Sequence, residues 1–311
     1  MTRTAGYGTE HELVDYIHGI TYEIWEQRGV ELIGDYYGAQ MPLYTLGGVI
    51  RGAQAVIDNT WATLAAYPDR RLLAEAVITS GTVSAGFSSH RIFSPMTNLG
   101  ASNWGPATGR QVTVRTIADC RVEDGRIVEE WLARDNAELA SQLGLALPTL
   151  ARSQRPDADA RAWQQTQIAR VRSEAGAQTD FCHDVLRLYW TGRSDADREV
   201  LITPYAVRHL DTQHSVSGRE AVIESYREEV AAFSDVVIAV DQVTRQRWAG
   251  SGEEYAVRYS LAATHTGTYL GIAATQRPVY VMGIAHWRLV AGRLATQWDV
   301  VDRLALLAQL V

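Results

Sequence analysis

Apolar positions near the N-terminus recur at helical spacing. Leu13, Ile17 and Ile20 follow one another at intervals of three or four residues, which predicts an amphipathic helix. A second helical pattern covers residues 55–64 and ends at Pro68, because proline cannot continue a helix. The chain therefore opens with helices that have one apolar face.

Further along, the apolar pattern changes to the alternation typical of strands. Residues 110–122 and 126–133 alternate on either side of an Asp-Gly pair, which predicts a β-hairpin. Residues 277–289 and 293–300 repeat this pattern, and a short amphipathic helix follows each hairpin. Helices followed by a run of antiparallel strands predict an α+β fold.

The two hairpins belong to an internal duplication. Residues 110–144 and 277–311 share 13 identities in 35 positions without a gap, at an offset of 167 residues. Shorter matches in the same order reach back to residues 15–25 and 180–190. The chain is therefore expected to contain two copies of one domain, residues 1–146 and 179–311. We call them the first and the second repeat.

The segment between the repeats has the composition of a linker. Residues 147–178 contain two prolines and a polar stretch, and residues 158–174 are rich in helix formers. We therefore expect a partly helical linker here.

Composition narrows the range of partners. The net charge of −7 disfavours nucleic acid and anionic membranes as partners, because phosphate groups bind clustered Lys and Arg. The apolar runs are too short to span a bilayer, and the N-terminus lacks the apolar core of a signal peptide. Two cysteines suit neither a disulfide framework nor a zinc site. A reduced, cytoplasmic protein without a metal is expected.

Several motifs resemble one family. In the second repeat these are Thr264 to Gly267, Gly271-Ile272, and Trp298 to Asp302 followed by a Leu-rich helix. In the first repeat they are Thr108-Gly109-Arg110, Asp124 to Glu129, and Trp131 to Asp135. Over about 130 residues of each half, the chain resembles the SnoaL-like polyketide cyclases of the nuclear-transport-factor-2-like superfamily.

This resemblance implies both a fold and a chemistry. The fold would be two tandem cone-shaped α+β barrels, each a curved antiparallel sheet with helices packed on one side, paired as an internal pseudo-dimer. Further oligomerisation remains open. The chemistry would be a cofactor-free intramolecular aldol closure with an Asp as acid/base, on a small hydrophobic molecule.

Asp135 and Asp302 are the first candidates for that acid/base. Each shares a strand face with an indole, Trp131 or Trp298, if the alternation continues to the strand end. A carboxyl group beside an indole in an apolar cup would have a raised pKa. The alternative is structural, since each Asp stands before a short helix, where Asp is a favoured N-cap.

Histidines supply further candidates. His90 and His265 align if the first repeat carries an eight-residue insertion that includes Trp104, and each could polarise a substrate carbonyl. His286 could pair with Asp302, and its counterpart in the first repeat is Asp119. The alternative is that the first two are turn histidines and that His286 faces solvent or the other domain.

Aromatic residues before the second helix of each repeat are candidates for pocket lining. Tyr37, Tyr44, Tyr205 and His209 fall in this segment, and Trp104 could form a lid. Ordinary core packing is the alternative. Three functions follow from the sequence: a polyketide-cyclase-type enzyme, a hydrolase, dehydratase or isomerase on the same fold, or a binding protein without catalysis.

Overall fold

The computed structural model describes residues 10–174, 180–193, 196–248 and 250–311. Within these ranges the chain forms two six-stranded sheets, one in each repeat, with helices beside them. The first repeat contains α1 Glu10–Thr21, a π-helical turn Tyr22–Glu26, a 3-10 turn Val30–Leu32, α2 Ile33–Tyr36, β1 Pro42–Thr45, β2 Gly48–Arg51, α3 Ala53–Ala66, β3 Leu73–Gly81, β4 Ala85–Thr97, β5 Gln111–Glu123, β6 Arg126–Arg134 and α4 Asn136–Gln142. The linker contains α5 Leu147–Ser153 and α6 Ala158–Ser173.

The second repeat has its six strands in the same order, with two short helices in place of α3. It contains α7 Phe181–Thr191, α8 Arg198–Leu201, β7 Ile202–His209, β8 Ser215–Ser217, α9 Arg219–Glu224, α10 Arg227–Ala232, β9 Phe233–Trp248, β10 Gly252–His265, β11 Pro278–Val290, β12 Arg293–Val301 and α11 Arg303–Leu310. The α+β class and the duplication are thus confirmed. The predicted start of the second domain, residue 179, lies outside the described residues.

Each sheet has the same strand order. The first is β2-β1-β6-β5-β4-β3 and the second is β8-β7-β12-β11-β10-β9, so both are open. The sheets are mixed rather than purely antiparallel, because β1 pairs with β6, and β7 with β12, in parallel. A long connection separates each parallel pair, so no tight turn forces the strands to run in opposite directions.

The predicted hairpin turns are confirmed by their backbone angles. Asp124 and Gly125 have φ values of 47° and 72°, and Ala291 and Gly292 have 50° and 73°. Two consecutive positive φ angles are characteristic of the two-residue turn that matches the right-handed twist of paired strands. The turns therefore fix the register of β5 with β6 and of β11 with β12.

The chain divides into two compact units. The first comprises Met1–Thr45, Val49–Leu132 and Thr244–Gln246, and the second comprises Leu46–Gly48, Ala133–Val243 and Arg247–Val311. The second unit thus includes α4 and the linker helices.

The N-terminal helix of each repeat, α1 or α7, covers one face of its sheet, which we call the helix-covered face. In the second unit α6 packs on the opposite face, where Trp163 meets Tyr280 edge-on with ring centroids 5.2 Å apart. In the first unit, Leu13 and Ile17 of α1 share a buried core with Cys120 and Val122 of β5. In the second unit, Phe181 of α7 packs edge-on against Trp287 of β11, with ring centroids 6.4 Å apart. Because successive strand residues point to opposite faces, these contacts assign every side chain of the paired strands to one face.

Candidate functional site in the second repeat

Asp135 and Asp302 both cap helices. Asp135 accepts hydrogen bonds from the backbone N–H groups of Ala137 and Glu138 at 3.0 and 3.1 Å, and Asp302 accepts one from Ala305 at 3.0 Å. Their other oxygens are also engaged. Asp135 forms an ion pair with Arg303.

Asp302 has a neutral partner in place of an arginine. Its Oδ2 accepts a hydrogen bond from Asn136 Nδ2 at 2.6 Å. Burial raises the pKa of Asp302 to about 6, against the lowering effect of the Ala305 N–H group. Asp135, Asn136, Asp302 and Arg303 all lie in the second unit. Both aspartates are therefore held as structural caps.

The alignment of His90 with His265 is wrong. His265 N donates to Arg277 O and Gln276 N donates to His265 O, and Asn98 makes the same two contacts with Arg110 and Gly109. The counterpart of His265 is therefore Asn98, at the offset of 167 found in the hairpins. It follows that the first repeat has no insertion, and that Trp104 lies in a turn present in both repeats.

His265 lies on the helix-covered face of the second sheet. Its side chain is fully buried, with its ring 5.7 Å from that of Phe233. Nδ1 accepts a hydrogen bond from Thr275 N at 3.2 Å, which assigns the proton to Nε2. Burial lowers the pKa of His265, so the ring is neutral near pH 7. Nε2 is buried and has no acceptor in the described part of the chain.

His90 lies in the middle of β4, on the helix-covered face of the first sheet. It is paired with Ala118, and its ring lies 5.9 Å from that of His18. Burial, together with His18, lowers the pKa of His90 to about 3. His90 is therefore a neutral core histidine at physiological pH.

The indoles and His286 lie on the face opposite to the helix-covered one. His286 pairs with Trp298 across β11 and β12, while their neighbours Trp287 and Gln297 pair on the helix-covered face. Trp298 stacks on His209 with centroids 4.7 Å apart. In the first repeat, Trp131 stacks on Tyr44 in the same way, at 5.4 Å. Asp119, at the position of His286, is also buried.

The remaining aromatic candidates differ in their surroundings. Tyr37 forms a hydrogen bond with the side chain of Glu130, and burial raises the pKa of Tyr37 well above the ordinary value. Tyr205 is 59% exposed on β7, and Trp104 is half-buried. Within the described part of the second unit, Tyr205 forms no hydrogen bond with Asp135 or Asp302.

The sequence reasoning missed Asp299, which lies on the helix-covered face one residue after Trp298. Its Oδ2 accepts a hydrogen bond from Tyr226 and its Oδ1 accepts one from Tyr259, each at 2.8 Å. Burial raises the pKa of Asp299, while Arg208 and the two hydroxyls lower it. Asp299 is only half-buried although it lies inside the fold, so it lines a space that solvent can reach.

The two tyrosines are themselves firmly positioned. Burial raises the pKa of both Tyr226 and Tyr259 well above the ordinary value, so both remain hydrogen-bond donors. Tyr226 stacks on Tyr189 with centroids 4.2 Å apart. The ring of Tyr259 lies over Gly283, where an added Cβ would collide with the ring and its hydroxyl. Gly283 is thus required for Tyr259 to reach Asp299.

Two polar atoms close to this carboxylate lack partners. Arg208 Nε and Gln297 Oε1 are buried, and neither meets a hydrogen-bonding group within the described ranges. Gln297 Nε2 donates to Tyr226 Oη at 3.3 Å, and Arg208 lies over the Tyr226 ring at 3.4 Å. Buried polar groups are rarely left unpaired. A free donor and a free acceptor beside a carboxylate therefore indicate a site for a polar ligand group.

The positions of Asp299 and Arg208 are apolar in the first repeat, whereas that of Gln297 holds the buried Glu130. Leu132 stands in place of Asp299 at the offset of 167. The strand pairing Leu43↔Glu130 corresponds to Arg208↔Gln297, so Leu43 replaces the arginine. Two further positions in this group differ: Ile92 stands for Tyr259 and Thr60 for Tyr226.

Metal-binding clusters and membrane-spanning helices were the other features sought in the described ranges. These residues include no group of three or more His, Cys, Asp or Glu side chains that could hold a metal ion. Of the helices the structure describes, none combines the length and the apolar character needed to cross a membrane.

A sequence profile of the SnoaL-like polyketide cyclases matches residues 17–143 and again residues 184–310. The chain therefore belongs to the SnoaL-like polyketide cyclase family, of which it carries two tandem copies. No curated protein matches it.

Solved structures similar to this chain include several of single-repeat length. Wild-type IdmH from Streptomyces antibioticus is 24% identical, with 42% of this chain and 98% of that chain covered and a TM-score of 0.37. A SnoaL-like polyketide cyclase from Agrobacterium tumefaciens strain C58 is 21% identical, with 42% and 98% covered and a TM-score of 0.36. TsrD from Streptomyces laurentii is 20% identical, with 43% and 98% covered and a TM-score of 0.34.

Proposed function

We propose that the second repeat is a cofactor-free enzyme of the polyketide-cyclase type, with Asp299 as its acid/base. One observation carries the proposal: a carboxylate inside the fold, held by Tyr226 and Tyr259, with a pKa raised by burial. A raised pKa brings a carboxyl group closer to neutral pH, where it can both accept and return a proton. Family membership supports this class of reaction.

The proposed reaction is a ring closure through an enolate. Asp299 takes a proton from the carbon beside a carbonyl; the C–H electrons form a C=C bond, and the carbonyl π electrons move to oxygen. The enolate carbon then attacks a second carbonyl carbon of the same molecule. The new alkoxide receives the proton from Asp299, so the step needs neither an oxidant nor a reductant.

The hydrogen bonds from the tyrosines leave this chemistry available. An ionised carboxylate has about four lone-pair sites. Tyr226 and Tyr259 use two of them and fix the plane of the group, so another lone pair can receive the substrate proton. Holding a flexible chain near this group would add a large contribution from orientation.

The test measures proton abstraction directly. Deuterium incorporation at the α-carbon of aromatic ketones such as 1-indanone would be followed by NMR in D2O. We expect Asp299→Asn to lower the catalysed exchange by about 10²–10⁴-fold, the usual contribution of a general base.

Asp135→Asn and Asp302→Asn are the matched controls, because Asn also caps helices well. Both should exchange at close to the wild-type rate. Exchange that survives in Asp299→Asn but is lost in Asp302→Asn would return the acid/base role to the cap position.

A further inference from the structure

The helical stretch that follows β8 is interrupted next to Tyr226. α9 ends at Glu224 and α10 begins at Arg227, so that Ser225 and Tyr226 lie between the two helices. In the first repeat the same stretch is the single helix α3, Ala53–Ala66. The last carbonyl groups of a helix have no partner within that helix. The interruption therefore exposes backbone oxygens that a donor from another element can bind.

Arg208 of β7 supplies this donor. Its Nη1 donates to the backbone oxygen of Ser225 at 3.1 Å and to the hydroxyl of Ser225 at 2.7 Å. A cationic side chain is favourable at the C-terminal end of a helix, where the carbonyl groups carry partial negative charge. Arg208 thus caps the end of α9, and it approaches Tyr226, the next residue along the chain.

The ring of Tyr226 is clamped between two planar groups. The guanidinium carbon of Arg208 lies 3.4 Å from the centroid of this ring. Tyr189 of α7 stacks on the same ring, with centroids 4.2 Å apart and the planes 7° from parallel. At these distances the two groups must lie on opposite sides of the ring, because they would overlap on one side. The clamp therefore restricts rotation of the Tyr226 side chain.

This clamp determines the direction of the Tyr226 hydroxyl. Its oxygen lies 2.8 Å from Asp299 Oδ2 and receives a hydrogen bond from Gln297 Nε2 at 3.3 Å. Because Gln297 is the donor in that second contact, the hydroxyl proton is available for the carboxylate. The position of Arg208 is thus transmitted through one aromatic ring to Asp299.

The charge of Arg208 acts in the same direction as its position. Burial raises the pKa of Asp299, and Arg208 opposes this effect. Burial also raises the pKa of Tyr226, and Arg208 again lowers it, which makes the phenol a stronger donor. Arg303 of α11 lowers the pKa of Asp299 as well, and Tyr259 of β10 donates to it. The carboxylate therefore faces two cations and two hydroxyl donors.

The first repeat lacks every part of this arrangement. Leu43, Thr60 and Leu132 occupy the positions of Arg208, Tyr226 and Asp299. Because α3 runs through position 60 without interruption, there is no helix end for an arginine to cap. The cap, the clamped ring and the acid are thus present together in one repeat and absent together from the other.

We infer that Arg208 is a positioning residue for Asp299, and that by capping α9 and clamping Tyr226 it holds the Tyr226 hydroxyl on the carboxylate. The inference rests on the proposed function of Asp299 and deepens it, but the ionisation of this carboxyl group can be measured without turnover. If Arg208 acts through Tyr226, the effect of removing the arginine depends on whether the hydroxyl is present.

The test is a double-mutant cycle of Arg208→Met and Tyr226→Phe in the full chain, read by the pKa of Asp299. NMR would follow isotopically labelled aspartate carboxyl carbons over a range of pH, and Asp299→Asn would identify the signal. Arg208→Met should raise the pKa of Asp299 by about one unit or more, because a nearby cation and a well-placed hydrogen bond are lost. In the Tyr226→Phe background the same substitution should raise this pKa less, because only the direct field of the cation is removed.

Deuterium exchange into 1-indanone supplies a second measurement. Arg208→Met should lower kcat by about tenfold, comparable to the loss of one hydrogen bond to a charged group. KM should change little, because a residue that positions the base does not itself hold the substrate. Arg70→Met is the matched control in the first repeat, since Arg70 is a buried arginine over the Trp25 ring. It should leave both the pKa of Asp299 and kcat unchanged.

Equal pKa shifts in the two backgrounds would overturn the inference, since Arg208 would then act without Tyr226. An unchanged pKa of Asp299 in Arg208→Met would also overturn it. Near-ultraviolet circular dichroism would check the fold of each variant. If Arg208→Met does not fold, Arg208→Lys takes its place in the cycle, because lysine keeps the charge but cannot stack flat on a phenol ring. Its shift should appear only where the Tyr226 hydroxyl is present, and any other pattern would contradict the inference.

Failure of the proposed function would be a separate result. Exchange that persists in Asp299→Asn would refute the acid/base role, whereas the pKa cycle would still show whether Arg208 positions the carboxyl group through Tyr226.

Discussion

The two repeats share a scaffold and differ in what they place inside it. In the second repeat, the helix-covered face presents Asp299 with two tyrosine hydroxyls bonded to it. In the first repeat, the same face presents Leu132 at this position and the neutral His90 nearby on β4. Equal strand order and equal hairpin turns thus support two different interiors.

This difference distinguishes residues that the fold requires from residues that only the proposed chemistry requires. The two cap aspartates occur in both repeats because each closing helix needs an N-cap. The acid at Asp299 occurs in only one repeat, since no helix or turn depends on it. A feature found in both repeats is therefore the weaker candidate for catalysis in this chain.

The largest effect is expected on turnover, when Asp299 and Leu132, which occupy the same position of the two repeats, are exchanged. Asp299→Leu copies the first repeat into the second and should lower turnover by about 10²–10⁴-fold, because the general base is gone. The reverse change, Leu132→Asp, should leave turnover unchanged and lower the free energy of unfolding by about 1–3 kcal/mol, since a polar group enters the core without a partner. Steady-state kinetics and urea denaturation would measure the two effects. Equal losses of turnover in both variants would contradict the assignment to one repeat.

The two helix caps allow a second contrast. Arg303→Ala leaves the buried carboxylate of Asp135 without its cation and should cost about 2 kcal/mol of stability, because an uncompensated buried charge is unfavourable. Asn136→Ala removes only the hydrogen bond to Asp302 and should cost about 1 kcal/mol. Chemical denaturation at pH 7 would compare them. A larger loss in Asn136→Ala would show that the ion pair is not the stronger contact.

The buried histidine of the first repeat predicts a pH dependence. The folded-state pKa of His90 is about 3, below its ordinary value of 6.5, so the unfolded chain binds the extra proton first. Stability should therefore fall as the pH drops below 6.5, by about 2 kcal/mol at pH 5 from this group. His90→Val should remove this part of the acid sensitivity, as measured by urea denaturation at pH 7 and pH 5. An unchanged difference between the two pH values would mean that His90 is protonated in the folded state.

A more modest effect on turnover is expected at Gly283. Gly283→Ala places a methyl group against Tyr259 and should displace its hydroxyl from Asp299. Turnover should fall by about tenfold, comparable to the loss of one hydrogen bond to a charged group. Because a donor to the carboxylate is lost, the acidic limb of the pH–rate profile should move to higher pH. Thr116→Ala, at the same position in the first repeat, is the control, and an unshifted limb would show that Tyr259 does not tune Asp299.

Much of the fold could be predicted from the sequence. The spacing of Leu13, Ile17 and Ile20 indicated α1, and the Asp124-Gly125 pair indicated the hairpin turn. The gapless match at an offset of 167 already pairs Leu132 with Asp299. The prediction of the acid/base relied on residues that are identical in the two repeats, and it therefore selected Asp135 and Asp302 instead. A comparison of the positions where the repeats differ could have found the acid.

The hydrophobic pattern and the duplication determined α1, α3, the closing helices and the two hairpins, because periodicity and turn chemistry are local properties of the chain. Only the tertiary structure decided which strand face α1 and α7 cover. The side chains of Trp298 and Asp299 lie on opposite faces of the sheet, although the two residues are neighbours in sequence, since adjacent strand residues point in opposite directions. The tertiary structure also brings Arg208, Tyr226 and Tyr259 to one carboxylate, that of Asp299, from three distant segments of the chain. No local sequence pattern predicts these contacts.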